Sequence, residues 1–196
     1  MQGVTYESYL INLYNSVNEL AKNPTSTVAR SSLIQNATAF IEKSENVYKG
    51  LKDYQTTLNT QVKNMVDSIN KLGDKIYTLN KKISKIESTG IEDANDLRDE
   101  RDAAIDELSK YIDITYYEND SKEVIISAEG IPFVTMGELA KMDTRVVEGT
   151  NLVIPTWPGY ERDVYDLSTE ASNVDETDKG ELKGLLIARG NMVVDY

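Results

Sequence analysis

The sequence predicts a mainly α-helical protein with a small β subdomain, arranged as an elongated antiparallel helical bundle or coiled coil with an inserted β-hairpin region. Between Phe40 and Ile86, apolar residues recur in alternating steps of four and three, which places a continuous apolar stripe along one side of a helix. After Ile112 the period changes to two, as is typical of strands. From residue 180 a short helical pattern returns.

The first helix is predicted over residues 6–22, where apolar residues recur at helical spacing. Asn23 and Pro24 end it, and either Asn23 or Ser26 is expected to cap the next helix. We expect four tyrosines on the predicted apolar stripes to pack in the core rather than to bind carbohydrate or peptide. These are Tyr6, Tyr9, Tyr14 and Tyr54.

The second helix is predicted over residues 26–88 and carries the long apolar stripe, which we call the seam. One additional step of four between Leu58 and Val62 relaxes the supercoil locally. Gly50 and Gly73 interrupt the helix without shifting the seam, so each is interpreted as a bend or a point of close packing. We expect other helices of the same chain to cover the seam, which makes a dimeric coiled coil the less favoured alternative.

The third helix is predicted over residues 93–112, after a break in which Gly90 ends the long helix in the left-handed conformation. This helix is rich in acidic residues, whereas the long helix is rich in lysine. Antiparallel packing of the two helices would therefore place opposite charges along the flanks of the seam.

Six short strands are predicted after the third helix, together with a final helix. The strands cover residues 112–116, 124–127, 131–135, 144–148, 152–154 and 164–167. Pro132 marks the third as an edge strand, residues 168–179 are expected to form a mobile loop, and the final helix begins at Asp178 and stops at Gly190. The expected domains are a long-helix rod (1–112), a small β subdomain (113–179) and a returning helix (180–196).

Composition excludes several classes of function. The formal charge is −12 with a pI near 4.5, which argues against binding to nucleic acid or to an anionic membrane. The chain has no Cys and no His, so disulfides, thiolate nucleophiles and Cys/His zinc sites are excluded. No Sec-type signal and no apolar run of membrane-spanning length occurs. We expect no cofactor and no membrane insertion.

One group of carboxylates invites a chemical interpretation. Asp99, Asp102 and Asp106 share a helical face, so they could bind a hard cation or act as an acid/base pair. A solvated charged face is the favoured interpretation. An EF-hand is excluded because Leu97 and Arg98 occupy positions that need an oxygen ligand and a glycine. No nucleotide-binding or hydrolase motif is present either, so we expect no enzyme.

Three segments together resemble a known family. Residues 96–109 read DLRDERDAAIDELS, which matches the pattern DLxDxRDxxxDELS of the flagellar hook-associated protein 1 family, FlgK. Residues 23–40 and the Gly-Leu-rich segment 180–186 with Arg189 are similar to further parts of that family, in the same order and at similar separations. The resemblance extends over nearly the whole chain.

The resemblance implies a structural subunit of the bacterial flagellum, which self-assembles as an adaptor at the hook-filament junction and has no catalytic role. It implies an extracellular location reached by export without a Sec signal. The implied partners are like subunits, the flagellar hook protein, other hook-associated proteins and the export machinery. Family members carry terminal heptad segments that this chain lacks, so we interpret it as an internal fragment.

Four polar residues are predicted to fix the register of the helices or to contact a neighbouring subunit: Asp96, Arg98, Arg101 and Asp102. Arg101 is the most informative, because it lies at a seam-facing position where a guanidinium must find an acidic partner or reach solvent. An alternative hypothesis is a binding module, in which a coiled-coil stalk presents the β subdomain and its Trp157–Tyr160 turn to a glycan or a protein partner.

Overall fold

The computed structural model describes residues 5–88, 90, 93–165 and 179–191. The helices are α1 (Tyr6–Lys22), α2 (Thr27–Glu87), α3 (Asn95–Tyr111) and α4 (Glu181–Asn191). The strands are β1 (Ile114–Glu118), β2 (Val124–Ala128), β3 (Ile131–Val134), β4 (Asp143–Val146), β5 (Val153–Trp157) and β6 (Arg162–Asp163). The predicted fold class, mainly α with a small β part, is confirmed.

Contacts within the chain define two compact units, Met1–Gln55 and Thr56–Tyr196, which we call unit 1 and unit 2. Helix α2 begins in unit 1 and ends in unit 2. The domain boundaries expected near residues 112 and 179 stay predictions. In the described part of the chain, no helix combines the length and the apolar character that crossing a bilayer requires.

Unit 1 is a pair of helices joined by the turn at Asn23 and Pro24. Ser26 caps α2, because its Oγ accepts a hydrogen bond from Ala29 N at 3.2 Å. The guanidinium of Arg30 donates to the carbonyl of Pro24 from Nε at 3.1 Å and from Nη2 at 2.8 Å, which fixes the turn. At the other end of the pair, the Tyr6 ring lies 5.6 Å from that of Phe40.

Much of the apolar surface of unit 1 is exposed, which differs from the sequence prediction. The tyrosines expected in the core are 43% exposed at Tyr6, 66% at Tyr14 and 46% at Tyr54, so that expectation is wrong for these three. The seam is also exposed here, by 39% at Val47 and 38% at Leu51. The expectation that this chain covers its own seam is therefore wrong in unit 1.

The core of unit 2 begins where the seam becomes buried, at Leu58. From this point α2 packs against α3, α4 and both sheets through one cluster of buried residues. Its largest fully buried side chains include Trp157, Phe133, Ile69, Ile76, Leu108, Ile112, Ile126, Leu182 and Leu186. A second cluster of Leu79, Ile83 and Ala94 fills the end of the α2–α3 hairpin. The seam is thus confirmed as a core element in unit 2 alone.

The six strands form two antiparallel sheets, in the orders β1-β2-β3 and β4-β5-β6. The hairpin predicted after Ile112 is confirmed as β1 and β2, with Tyr116 opposite Ile126. Pro132 lies on the edge strand β3, also as predicted. The last strand in the described residues is Arg162–Asp163. In the strand predicted at 164–167, Val164 and Tyr165 are not in a strand, although Val164 N donates to Pro155 O at 2.9 Å, and residues 166–167 lie outside the described part of the chain. The mobile loop predicted at 168–179 lies outside the described residues up to residue 178, as does Asp178, where the last helix was predicted to begin. The observed α4 begins at Glu181.

The glycines separate into structural and neutral positions. A Cβ on Gly73 would lie 2.5 Å from the ring of Phe133, which confirms a point of close packing, whereas Gly50 has nothing within 4 Å. Gly90 has φ +66° and donates to Glu87 O at 3.0 Å, which confirms the predicted left-handed helix end. Helix α4 runs one residue past the predicted stop at Gly190, to Asn191, and its last turn contains the buried Arg189.

Candidate functional site

A polar network joins the end of α2 to the start of α3. The guanidinium of Arg98 holds the carboxylate of Glu87 through two parallel hydrogen bonds, from Nε to Oε1 at 2.7 Å and from Nη2 to Oε2 at 2.6 Å. Glu87 Oε1 also accepts from Ala94 N at 3.0 Å. The bonds from Arg98, with that from Ala94, lower the pKa of Glu87 to about 2, and Glu87 raises the pKa of Arg98. The pair therefore closes the helical hairpin.

Glu118, the last residue of β1, extends this network to the first sheet. Its Oε2 accepts from Arg98 Nη1 at 2.9 Å and from Arg101 Nη2 at 2.7 Å. Burial by itself would raise the pKa of Glu118, but the hydrogen bonds from Arg101 and Arg98 outweigh it, so its pKa is lowered. Two arginines of α3 thus fix one carboxylate at the end of a strand.

Arg101 is buried, at 2% exposure, and it connects α3 to α2 as well as to the sheet. Its Nη1 donates to Asn80 Oδ1 at 3.2 Å and to Lys122 O at 2.9 Å. Asn80 in turn bonds both backbone groups of Val124, donating to its carbonyl at 2.7 Å and accepting from its N–H at 2.9 Å. A single guanidinium therefore links three elements of unit 2.

The four predicted register or interface residues fall into two groups. Arg98 and Arg101 contact other elements directly, and this geometry favours the register role for both. Asp96 is exposed, and the Asp102 side chain is 67% exposed with Oδ1 3.8 Å from Arg101 Nε. Contact of these residues with a neighbouring subunit stays a prediction.

The acidic face of α3 contains Asp99 and Asp106 in addition to Asp102, and all three are exposed. Within the described ranges, no group of three or more acidic residues is arranged to hold a metal ion. The expected pairing of α2 lysines with α3 acids occurs at Lys75 and Glu100, at 2.9 Å with both side chains about half exposed. Such an exposed pair adds little to stability.

Sequence reasoning missed a series of asparagines on α2, namely Asn59, Asn70 and Asn80. Asn70 donates to Met142 O at 2.8 Å and accepts from Met142 N at 2.9 Å, just before β4. Asn59 donates to Asn151 O at 3.0 Å and accepts from Val153 N at 2.8 Å, at the start of β5. The available signal was asparagine in a helix interior, where it is a poor helix former and needs another reason to be present.

A second buried arginine, Arg189 on α4, completes the contact at Asn59. It is 3% exposed, and its Nη1 donates to Asn59 Oδ1 at 2.7 Å and to the carbonyl of Val153. Burial lowers the pKa of Arg189. Arg189 belonged to the segment that carried the family resemblance, but sequence alone gave it no structural role.

Trp157 does not form the aromatic surface that the binding-module hypothesis required. It is 1% exposed and packs edge-on against Phe133 with ring centroids 5.8 Å apart. Tyr160 in the following turn is 44% exposed. The interpretation of the Trp157–Tyr160 turn as a recognition surface is therefore wrong for its tryptophan.

Comparisons with known proteins agree with this architecture. A family model described as the flagellar hook-associated protein FlgK helical domain matches residues 4–196. Flagellar hook-associated protein 1 of Bacillus subtilis (strain 168) is 29% identical over 184 residues, which cover 89% of this chain and 34% of that protein.

A solved structure, that of the flagellar hook junction protein FlgK from Burkholderia pseudomallei, has a similar fold, with a TM-score of 0.77 and 20% identity. The match covers 94% of this chain and 33% of that chain. The chain thus spans about a third of the length of the proteins it matches. On the match to its family model, which extends over nearly all of its residues, the chain belongs to the FlgK helical-domain family of flagellar hook-associated proteins.

Proposed function

We propose that this chain is the helical part of a structural subunit that assembles as an adaptor at the hook-filament junction of a bacterial flagellum. The observation that carries the proposal is the family match over residues 4–196. The proposed partners are like subunits, the hook protein, other hook-associated proteins and the flagellar export machinery. The proposed location is extracellular, reached by export without a Sec signal.

The chemistry of the polar network supports a structural role. Arg98 and Arg101 lie within the DLRDERDAAIDELS segment, and each of them contacts another element of unit 2. The carboxylates they hold, Glu87 and Glu118, have lowered pKa values and are already engaged in hydrogen bonds. Charged groups that are paired in this way hold a fold in place, whereas an acid/base catalyst needs a free group with a pKa near the working pH.

Exposed apolar residues in unit 1 support a role in assembly. Leu10 is 50% exposed, Ile34 66% and Tyr48 68%, and further large apolar residues are exposed on both helices. Large apolar residues exposed in this number on one pair of helices are typical of regions that contact other protein. We infer that unit 1 contributes apolar contacts in the assembled flagellum, in addition to the charged surface of unit 2.

A chimaeric protein tests the proposal in a living cell. The region of the Bacillus subtilis relative that matches this chain would be replaced by residues 4–196, in a strain that lacks its own copy. We expect the chimaera to be exported and to restore filaments and swimming, whereas deletion of the same region does not. A chimaera that is exported and folded but restores no filaments would contradict the proposal.

A further inference from the structure

Two clusters in unit 2 share one hydrogen-bonding geometry. In the first, Arg101 Nη1 donates to Asn80 Oδ1 at 3.2 Å and to a backbone carbonyl, that of Lys122, at 2.9 Å. In the second, Arg189 Nη1 donates to Asn59 Oδ1 at 2.7 Å and to the Val153 carbonyl. We call these clusters the first latch (Asn80 and Arg101) and the second latch (Asn59 and Arg189).

Each latch connects α2 to a different pair of elements. The first joins α3 to the start of β2, since Asn80 also bonds both backbone groups of Val124. The second joins α4 to the start of β5, since Asn59 also accepts from Val153 N. An amide oxygen has two lone pairs, and in both latches one accepts a backbone N–H and the other a guanidinium. Because the guanidinium and the backbone N–H share one asparagine oxygen, loss of either hydrogen bond weakens the contact of α2 with a helix and with a sheet together.

The latches differ in how their charge is balanced. Arg101 is paired with the Glu118 carboxylate at 2.7 Å. Within the described residues Arg189 has no carboxylate partner, and this is the difference between the latches, since the buried Nε of both arginines lacks a hydrogen-bond partner. Burial of a cation without a counter-ion costs desolvation free energy that no ion pair offsets. That cost is removed when the latch opens and the guanidinium returns to water. The second latch is consequently the weaker of the two.

The two sheets share no strand pairing within the described residues. The bridge between Val134 of β3 and Leu139 ties the loop after β3 to the first sheet and does not reach the second. The Phe133 and Trp157 rings touch across the two sheets. The middle asparagine, Asn70, holds Met142 without an arginine, so it is independent of both latches.

We propose that unit 2 closes on α2 through two separate arginine–asparagine latches, and that α4 with the beginning of β5 opens from α2 while the first sheet stays docked. This local opening is a conformational device of the fold and does not depend on the proposed function. Proteins commonly open in such contiguous units at free energies below that of global unfolding.

Hydrogen exchange measured by mass spectrometry on the 196-residue chain tests the proposal. In the unmodified chain we expect α4 and residues 151–157 to exchange faster than α3 and residues 114–134. Arg189→Met should raise exchange in α4 and residues 151–157 by about tenfold or more and leave residues 114–134 unchanged. Arg101→Met should give the opposite pattern, with loss of protection in α3 and residues 114–134. If Arg101→Met does not fold, Arg101→Lys replaces it.

A double-mutant cycle separates a latch from simple packing. Asn59→Ala and Arg189→Met should be non-additive in the exchange of residues 151–157, since each removes part of one contact. Asn80→Ala and Arg189→Met should have additive effects on the same exchange, because the two residues belong to different latches. The proposal would be overturned if both arginine variants raised exchange in the same segments, or if α4 exchanged more slowly in Arg189→Met. It would also be overturned if the effects of Asn59→Ala and Arg189→Met on the exchange of residues 151–157 were additive.

Discussion

Gly180 lies directly against the backbone carbonyl of Tyr111, so close that a Cβ on Gly180 would be 2.6 Å from the Tyr111 oxygen. The same Cβ would be 2.9 Å from Ile112 Cα, and the φ angle of Gly180 is +95°. The start of α4 therefore packs backbone to backbone on the end of α3, which a residue with a side chain does not permit.

Gly180→Ala is expected to destabilise unit 2 by at least about 2 kcal/mol, since it combines a positive φ angle with a steric clash. Gly184→Ala, in the helix that Gly180 precedes, is the matched control, because a Cβ there meets nothing within 4 Å. The control should be stabilising by about 0.5–1 kcal/mol, from the helix propensity of alanine. Urea unfolding of both variants measures the difference, and equal effects would contradict the backbone contact.

Gly73→Ala should destabilise the chain by about 1–3 kcal/mol, the usual effect of overpacking a core. A Cβ on Gly73 would lie 2.5 Å from the ring of the fully buried Phe133 and 2.8 Å from Leu139. Gly50→Ala, also in α2 but with nothing within 4 Å, should be neutral or stabilising. If the added methyl is the cause, the smaller side chain of Phe133→Leu should recover part of the loss in the double variant. No recovery would indicate a different cause.

Glu87→Gln is expected to reduce the loss of stability in acid. The pKa of Glu87 is lowered from 4.5 to about 2 in the folded chain, so its stabilising contribution is present above pH 4.5 and is lost as the pH falls towards 2. Chemical unfolding at several pH values in this range gives the free energy of unfolding as a function of pH. Its slope in the variant should correspond to up to about one fewer proton bound on unfolding. Asp99→Asn is the control, because Asp99 is exposed on the acidic face of α3. An unchanged slope in Glu87→Gln would contradict the role of the Arg98 pair.

Glu129→Gln is expected to raise stability at neutral pH, because the pKa of Glu129 is raised in the folded chain, whereas that of Glu87 is lowered. Burial raises the pKa of Glu129, and the nearby Asp113 carboxylate adds to this, although Lys183 and the hydrogen bonds from Asp113 N and Tyr165 OH oppose it. The folded state therefore favours the protonated form, and ionisation of Glu129 lowers stability as the pH rises through its folded pKa.

The Gln variant keeps an oxygen to accept both hydrogen bonds and carries no charge. It should be more stable than the original chain at neutral pH and equally stable near the unfolded pKa of about 4.5. Unfolding curves between pH 8 and pH 4.5 measure this convergence. Glu129→Ala, which removes the acceptor, should be less stable at every pH. A Gln variant that is less stable at neutral pH would refute this expectation.

Local patterns were sufficient to predict most of the secondary structure. Helices α1, α2 and α3 begin and end within two residues of the predicted bounds, since helical periodicity, Pro24 and Gly90 are all features of neighbouring residues. The described end of α4, Asn191, also lies within one residue of the predicted stop at Gly190. Local patterns did not predict the contact of Arg189 with Asn59, 130 residues away.

The sequence by itself determined that α2 has one apolar face, that a hairpin follows α3 and that the chain resembles the FlgK family. Only the tertiary structure decided which half of that face is covered, with Val62 fully buried and Val47 39% exposed. It also decided that Asn80 bonds Val124, 44 residues away, and that Trp157 is internal. The physical reason is that periodicity records which face of a helix is apolar, whereas the partner of that face and of each buried polar group depends on contacts between distant residues.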